Sequence, residues 1–377
     1  MIKNLSIKRV KPPQLSPADW ALWTTMRTEN SQLYSPYFHP AYTQLIDRLQ
    51  NDVWIAVIKS DNQTIGFLPF QQRRIGGKAR PVGAPMTDYH GIISEAPLAV
   101  NMSNLLSLAK ISALQMPSQM NLAPSTPLED QAICAVAKFS DYPSISVWRE
   151  AHDSSYNRHL KSLRRRIKKI ESEHGVRSFI WQSQDSRHFE KLIEWKRDKF
   201  KTTGKYDVLS VDWTLSLLRE LWKNGPDAPL RCDLHVMMIN DEPVAMDLGL
   251  SDGVTFHSWI VGYDSAFQSF SPGMQLLENL VDQSETLGYD IIDLGSGIEG
   301  YKKHYATWEQ SAAACLWTGQ GLGAKKANIY SRVEKIGQSH LKDIPGKFRR
   351  RFAQIEACDA SISGQARAMW QAIKNGG

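Results

Sequence analysis

The sequence predicts a mixed α/β protein with two domains, each a mostly antiparallel sheet flanked by helices, followed by a basic helical tail. Its 377 residues exceed what a single core usually organises. Short apolar runs bounded by turn residues alternate with longer runs of helical periodicity. Lys and Arg accumulate near the C-terminal end. We therefore expect one domain at 1–150, a second at 151–320 and the tail at 321–377.

The first domain is expected to contain helices and a β-hairpin. The spacing of apolar residues predicts helices at 20–29, 40–49 and 105–114. Short apolar runs predict strands at 54–58, 65–70 and 144–148. The polar residues 60–63 join the first two of these strands, which is typical of a hairpin turn.

The second domain begins with helices and continues with a strand-rich region. Helical periodicity predicts helices at 156–173, 189–200, 213–222, 274–287 and 300–307. Apolar runs between turn residues predict strands at 234–239, 244–250, 254–261, 290–294 and 312–317. The first helix, which ends before Gly175, is expected to bridge the two domains. The first three strands are expected to form an antiparallel meander.

Positive charge is concentrated at two places. Residues 321–377 contain eleven Lys or Arg against four Asp or Glu, and residues 156–177 contain eight against two. Such blocks are typical of solvated faces or of sites for anionic partners. Between its charges the tail carries apolar residues, at Ile329, Val333, Ile336, Leu341, Ile344, Phe348, Phe352 and Ile355. This pattern is compatible with peripheral contact on an anionic membrane surface or with packing against the second domain.

Cysteine spacing and hydropathy exclude several classes of protein. The four cysteines lie far apart without CxxC or His-flanked spacing, so neither a disulfide framework nor a zinc site is indicated. The first 20 residues hold no apolar core of signal-peptide length, and no run of 18 apolar residues occurs in the sequence. We expect a cytoplasmic protein, at most peripheral on the inner face of a membrane.

A phosphate-binding helix start is predicted at Ser271-Pro272-Gly273. This turn follows a predicted strand and opens a helix, whose first N–H groups and dipole attract anions. Gly273 lets the backbone approach a ligand closely, and Pro272 suits the first helical turn because no needed N–H is lost. An ordinary helix N-terminus with proline has the same pattern, so the turn alone does not decide between the two interpretations.

The order of motifs around this turn resembles a known family. The branch of GNAT N-acyltransferases associated with cellulose and exopolysaccharide biosynthesis (CelD-like) is similar at Gly262-Tyr263-Asp264, Phe270 to Gly273, Leu276-Leu277, Gly288, Asp293-Leu294-Gly295, Gly297 and Tyr301-Lys302. That branch pairs two GNAT-like domains, as the Fem aminoacyltransferases do. The first domain is similar at Phe38-His39-Pro40, Gly83 and Asp88 to Gly91. The widespread pyrophosphate motif Arg/Gln-x-x-Gly-x-Gly/Ala is absent, and Gln268 to Gly273 stands in its place.

The resemblance implies an acyl-CoA site in the second domain and no metal. Pantetheine would lie where the strands at 254–261 and 290–294 splay apart, and the pyrophosphate would meet the backbone at the helix start. The residues expected to bind the acyl-CoA are Val261, Phe270, Ser271, Pro272, Gly273, Met274 and Gln275.

Five residues of the second domain are candidates for the chemistry. An acceptor amine must be neutral to attack a thioester, so a base is needed nearby. Asp293 is the first candidate, because a carboxylate in an apolar strand is unusual, although it can instead cap the turn that follows. His257 is the second candidate, with Asp247 to orient it. Lys302 and Tyr305 can assist the departing thiolate, or belong to a solvated helix face.

The acceptor is expected to meet Asp88, Tyr89 and His90 at the edge of a cleft, with Lys199 and Tyr206 as further members of that site. An ordinary polar turn is the alternative for the first three residues. We expect transfer of an acyl group from acyl-CoA to a primary amine, first to an amino sugar of a polysaccharide or a lipid-linked precursor. The alternatives are acylation of a long-chain amino lipid, aminoacyl transfer from tRNA, and a non-catalytic binding module. The tRNA alternative depends on the basic residues 156–177, because phosphate neutralisation dominates tRNA affinity.

Overall fold

The computed structural model describes residues 4–122 and 131–321, together with Ile355 and Cys358. Contacts divide the chain into two compact units. The first comprises Met1–Ala132, Gly204–Leu217 and Ala312–Gly377, and the second comprises Ile133–Thr203 and Leu218–Ser311. The predicted domains at 1–150 and 151–320 stay a prediction. The predicted tail at 321–377 lies outside the described residues, apart from residue 321, Ile355 and Cys358.

The described helices and strands alternate along the chain. From the N-terminal end they are β1 (Leu5–Val10), α1 (Pro17–Glu29), α2 (Pro40–Gln50), β2 (Val53–Ser60), β3 (Gln63–Gln71), β4 (Lys78–Ala79), α3 (Met102–Leu108), β5 (Ala113–Gln119), β6 (Gln131–Lys138), α4 (Ile145–Glu150), α5 (Ser154–His174), β7 (Arg177–Ile180), α6 (Ser186–Thr202), α7 (Asp212–Lys223), β8 (Arg231–Ile239), β9 (Glu242–Ser251), β10 (Thr255–Tyr263), α8 (Pro272–Leu287), β11 (Ile291–Ser296) and β12 (Trp308–Thr318). The predicted mixed α/β fold is confirmed.

In the first unit, β1, β2 and β3 form an antiparallel sheet, in which β2 and β3 are the predicted hairpin. Strand β5 pairs in parallel with β4 and antiparallel with β12. A hydrophobic core lies between these strands and α3, with Ile58, Phe70, Leu105 and Leu114 among its buried side chains.

In the second unit, the strands are ordered β6-β11-β10-β9-β8-β7. The β10–β11 pair is parallel, and the pairs on either side of it are antiparallel. Helix α8 packs its apolar stripe against one face of this sheet, where Leu277 and Leu280 meet Phe256 and Ile292. Helix α6 lies against β10 at Gly262, where an added Cβ would come within 2.7 Å of Leu192.

Three predicted elements are wrong. The segment at 144–148 is not a strand but the start of α4, because the Ser144 side chain accepts a hydrogen bond from the Val147 N–H and begins a helix. The helix predicted at 105–114 ends at Leu108, since Lys110 is left-handed (φ 58°) and the chain then enters β5. The helix predicted at 300–307 is only a single 3-10 turn at Lys302–His304.

Among the residues that the structure describes, no helix is both long enough and apolar enough to cross a membrane.

Candidate active site

The centre of the second unit's sheet contains a divergence of two neighbouring strands. Strands β10 and β11 are paired over three positions only, Thr255 with Ile291, Phe256 with Ile292, and His257 with Asp293. Beyond that point β10 continues beside β9 as far as Tyr263, and β11 pairs on its other side with β6. The strands therefore separate after His257 and Asp293, where the sequence predicts the splay.

The last paired position of these two strands holds a buried histidine beside a buried aspartate. The His257 Nδ1 lies 3.1 Å from the Asp293 Oδ2, within ion-pair distance but off the angle of a regular hydrogen bond, and both side chains are 0% exposed. The Asp293 Oδ1 accepts a hydrogen bond of 2.7 Å from the Gly295 N–H. Asp293 thus caps the turn that follows β11, which is the structural alternative given by the sequence. A role for either residue in proton transfer stays a prediction.

Asp247 occupies the middle of β9, beside a bulge in β10. Its cross-strand partner is Val261, and the register of β10 shifts between Ser258 and Ile260. The Ser258 hydroxyl donates a 2.7 Å hydrogen bond to the Asp247 Oδ2. The Oδ1 is buried and has no hydrogen-bond partner among the described residues. Burial raises the pKa of Asp247 to about 6, against the lowering effects of the Ser258 hydrogen bond and of the charges of His257 and Lys196.

The start of α8 offers fewer amides than the sequence predicts. Ser271 is left-handed (φ 55°), and its N–H donates to the Gln268 carbonyl at 3.1 Å. The N–H groups of Met274 and Gln275 donate to the Ser271 carbonyl at 3.0 and 3.3 Å, and Pro272 has no N–H. Within the described part of the chain, the Gly273 N–H is the amide of this turn that has no acceptor.

Two arginines approach the same turn from outside α8. The Arg166 Nη1, on α5, donates a 2.7 Å hydrogen bond to the Ser271 hydroxyl. The Arg177 Nη1, at the start of β7, donates to the Gln275 Oε1 at 3.0 Å. The sequence shows the basic character of residues 156–177 but not that Arg166 meets this turn, because the contact joins residues 105 positions apart.

Apolar side chains near the divergence remain open to solvent. Val261 and Tyr263 of β10 are each 36% exposed, and Ile298 and Tyr301, which follow β11, are 38% and 41% exposed. Val261 lies beside the helix start, since a Cβ added at Gly273 would meet its Cγ1 at 3.9 Å. Phe270, which the sequence also predicts at this site, is instead buried, and it contacts the ring of His174.

Lys302 and Tyr305, which follow β11, make different contacts. The Lys302 Nζ donates to the Ser296 carbonyl at 3.3 Å. Tyr305 is 1% exposed, and its hydroxyl donates a 2.5 Å hydrogen bond to Glu278 of α8. Burial and the neighbouring Glu278 charge raise the pKa of Tyr305 well above its usual range. Tyr301 is the more exposed phenol, and burial together with the charge of Asp247 raises its pKa.

The residues predicted to meet the acceptor are found in both units. In the first unit Tyr89 and His90 are buried and line a small cavity of about 20 Å³, enough for roughly one water molecule, while Asp88 is exposed. Burial lowers the pKa of His90 to about 3, so its imidazole is neutral. Tyr206 belongs to the first unit, and Lys199 is exposed on α6 of the second. Their role in acceptor binding stays a prediction.

Sequence reasoning missed Ser258, Lys196 and Arg166. Lys196 of α6 donates from its Nζ to the Val261 carbonyl at 3.4 Å, and so brings a cation to β10. Serine and lysine in these positions have no distinctive spacing, and no signal in the sequence identifies them. Among residues 4–122 and 131–321, no group of three or more His, Cys, Asp or Glu side chains is arranged to hold a metal ion.

Residues 157–303 match a family model described as an acetyltransferase (GNAT) domain. The matched residues include β10, α8, β11 and the divergence between the two strands. The match agrees with the GNAT superfamily that the sequence resembles, and it does not distinguish the cellulose and exopolysaccharide branch. No curated protein matches the chain.

Several solved structures are similar to the chain at low identity. One is a conserved protein of unknown function from Bacteroides thetaiotaomicron, with 14% identity over 84% of this chain and 100% of that chain and a TM-score of 0.47. FemX is 8% identical over 85% of this chain and 99% of its own, with a TM-score of 0.48. A tandem GNAT protein from the clavulanic acid biosynthesis pathway is 10% identical over 84% of this chain and 98% of its own, with a TM-score of 0.45.

Proposed function

We propose that the protein transfers an acyl group from acyl-CoA to a primary amine, with the acyl-CoA bound in the second unit by its acetyltransferase (GNAT) domain. The observation that carries the proposal is the separation of β10 and β11 after His257 and Asp293, inside the region matched to that domain. A parallel pair that opens at mid-sheet leaves backbone groups of both strands without a strand partner, and an extended amide-containing arm can bond to them.

The proposed donor lies along β10 and reaches the start of α8. The pantetheine arm occupies the space between the separating strands, beside the exposed side chains of Val261 and Tyr263. The pyrophosphate meets the Gly273 N–H and the positive end of the α8 dipole. Arg166, already bonded to the Ser271 hydroxyl, supplies the cation that this anion requires.

The chemistry needs no covalent enzyme intermediate. The neutral amine attacks the thioester carbonyl, and CoA leaves as the thiol. The protein brings the two reactants together and accepts the proton that the amine must lose. The thioester end is expected near the middle of β10, close to the bulge at Ser258–Ile260.

An amino sugar of a polysaccharide, or of a lipid-linked precursor, is the acceptor we propose first. Its support is the resemblance of the second domain to the exopolysaccharide-associated branch. A long-chain amino lipid is the second candidate. Aminoacyl transfer from tRNA is favoured by one observation, the exposed cations Arg164, Arg165, Lys168 and Lys169 on α5, because such a face can neutralise phosphates.

The first test is release of free CoA when the protein is mixed with acetyl-CoA or a longer acyl-CoA and a panel of amines. The panel contains amino sugars, sphingoid bases and polyamines. Release of CoA with one class identifies the acceptor. If calorimetry gives no heat with any acyl-CoA and no amine promotes release, the transferase proposal is wrong. A gel shift with charged tRNA at moderate salt tests the aminoacyl-tRNA alternative.

A matched pair of variants tests the donor site. Gly273→Ala keeps the N–H and adds a Cβ whose nearest neighbour lies 3.9 Å away, so acyl-CoA binding should be unchanged. Gly273→Pro removes the N–H in the first helical turn, where proline is tolerated, and should weaken binding by about tenfold. Equal affinity of the two variants, with equal thermal stability, would place the pyrophosphate elsewhere.

A further inference from the structure

We propose that Asp247 is the catalytic residue that takes the proton from the acceptor amine, through its Oδ1, which has no hydrogen-bond partner in the part of the chain that the structure describes. This inference rests on the proposed function and adds to it. It also differs from the role that the sequence predicts for Asp247, which is to orient His257.

Three aspartates are buried in this sheet, and their hydrogen bonding sets Asp247 apart. Asp233 binds the Arg231 Nε through both oxygens at 2.9 and 3.1 Å and accepts a 2.6 Å bond from the Tyr289 hydroxyl. Asp293 uses one oxygen for the Gly295 N–H and the other for His257. Among the described residues, each oxygen of these two carboxylates has a neighbouring nitrogen or hydroxyl group, so contacts within the sheet account for them without a ligand.

Asp247 is also buried, at 5% exposed, but among the described residues its Oδ2 has a partner, the Ser258 hydroxyl, and its Oδ1 has none. A buried carboxylate oxygen without a donor costs stability, and such groups are rare in folded proteins unless a ligand or water supplies the missing bond. An ammonium or amine supplies this bond, because it brings N–H donors and a proton to lose. The incomplete hydrogen bonding of Asp247 thus fits an amine as its partner.

The position of Asp247 relative to the proposed thioester agrees with this role. It is the cross-strand partner of Val261, on the stretch of β10 that has left β11. Its bonded neighbour Ser258 begins the bulge of β10. The carboxylate therefore lies beside the β10 residues where the acyl carbonyl is expected, one strand away from the proposed pantetheine.

The proton transfer balances without a further reactant. An acceptor that arrives as an ammonium gives one proton to the Asp247 Oδ1 and becomes a neutral amine. The nitrogen lone pair forms the N–C bond, the C–S bond breaks, and its electron pair leaves on sulfur. The second N–H proton passes to that thiolate. The products are an amide and CoA thiol, and the proton on Asp247 returns to solvent.

The groups that face Asp247 come from four elements. His257 and Ser258 belong to β10, Lys196 to α6 and Tyr301 to the turn after β11. His235 of β8 is its cross-strand neighbour on the other side. Burial raises the pKa of Asp247 to about 6, so that near neutral pH the carboxylate is mostly ionised and still basic enough to accept a proton.

The experiment compares Asp247→Asn with Asp247→Glu and with Asp241→Asn, a matched control at the exposed turn between β8 and β9. We expect Asp247→Asn to lower kcat by about a hundredfold or more while the Kd for acyl-CoA stays within about threefold. Asp247→Glu should restore part of the rate, and Asp241→Asn should behave as the wild type. The acid limb of the wild-type pH profile should be absent in Asp247→Asn.

A second acceptor separates proton transfer from a purely structural role. Hydroxylamine is largely neutral at pH 7.5, so it has less need of a base. The defect of Asp247→Asn should therefore be much smaller with hydroxylamine than with an alkylamine. Equal defects with both, or a near-normal kcat with an alkylamine, would overturn the role of Asp247 while leaving the transferase intact. A wild-type protein that releases no CoA with any amine would overturn both.

Discussion

His257 and Asp293 form the last paired position of β10 and β11, and their side chains meet in the interior with the Nδ1 of one 3.1 Å from the Oδ2 of the other. Neither side chain is exposed, and Asp293 also accepts a hydrogen bond from the Gly295 N–H. The pair marks the point at which the strands separate. It therefore defines the inner end of the proposed donor site.

Removing the carboxylate from this pair should destabilise the fold. Asp293→Ala leaves His257 and the Gly295 N–H buried without their partner, so the free energy of unfolding should fall by about 3–5 kcal/mol. Urea unfolding followed by tryptophan fluorescence measures this. Asp290→Ala is the control, because that less buried carboxylate accepts hydrogen bonds from the Ser140 N–H and hydroxyl, and it should cost about 1 kcal/mol. Equal losses for the two variants would contradict a structural role for the contact between His257 and Asp293.

Asp247→Asn should stabilise the protein at alkaline pH. The pKa of Asp247 is raised to about 6 in the folded state from an ordinary value of 3.8, so folding favours the protonated form. The stability linked to this group is present below pH 4 and is lost as the pH rises through 6. Asparagine does not ionise, so the free energy of unfolding of Asp247→Asn at pH 8 should exceed that of the wild type by up to about 3 kcal/mol. Urea unfolding of both proteins at pH 4 and pH 8 measures the difference, and a gain that is the same at both pH values would argue against the raised pKa.

Ser258→Ala should move the pH profile of the reaction. The Ser258 hydrogen bond lowers the pKa of Asp247, so its removal should raise that pKa further above 6. The acid limb of kcat/KM should move to higher pH by roughly 0.5–1 unit, given about 1 kcal/mol for the bond. Ser269→Ala, an exposed serine before α8, is the control. An unmoved limb would mean that a different group titrates.

Arg166→Ala should weaken acyl-CoA binding by about five- to tenfold, because the cation beside Ser271 contributes roughly 1–1.4 kcal/mol to holding an anion there. The effect should shrink at 0.5 M salt, since exposed charges are screened. Arg164→Ala is the control, as that residue lies about 200° around α5 from Arg166. Calorimetry with acetyl-CoA at low salt and at 0.5 M salt measures these affinities. Identical affinities for the two variants would show that Arg166 is not part of the donor site.

Tyr305→Phe tests whether this phenol is structural. The Tyr305 hydroxyl is buried and bonded to Glu278, which also forms a salt bridge with Arg149. Loss of this hydroxyl should therefore lower the free energy of unfolding by about 1–3 kcal/mol. The rate of CoA release should stay within a few fold of the wild type. A hundredfold loss of kcat at unchanged stability would instead support the catalytic role that the sequence predicts.

Local sequence signals predicted much of the fold, because they act over a few residues. The hairpin β2–β3 and the meander β8–β10 follow from apolar runs between turn residues, and α8 follows from its periodicity and from Gly288. The error at 144–148 arose because a serine cap begins a helix there. The error at 300–307 arose where a series of glycines with positive φ sets the backbone conformation. Short segments carry too few residues for periodicity to distinguish these cases.

The sequence by itself determined the order of elements from α6 to β11, the turn at Ser271–Gly273 and the aspartates and histidine of the second domain. Only the tertiary structure decided how these groups are used. Pairing between β10 and β11 brought His257 to Asp293, and at the bulge of β10 the Ser258 hydroxyl meets one oxygen of Asp247. These are contacts between residues far apart in the chain, and they depend on strand register and burial, which a pattern of residue types along one segment does not contain.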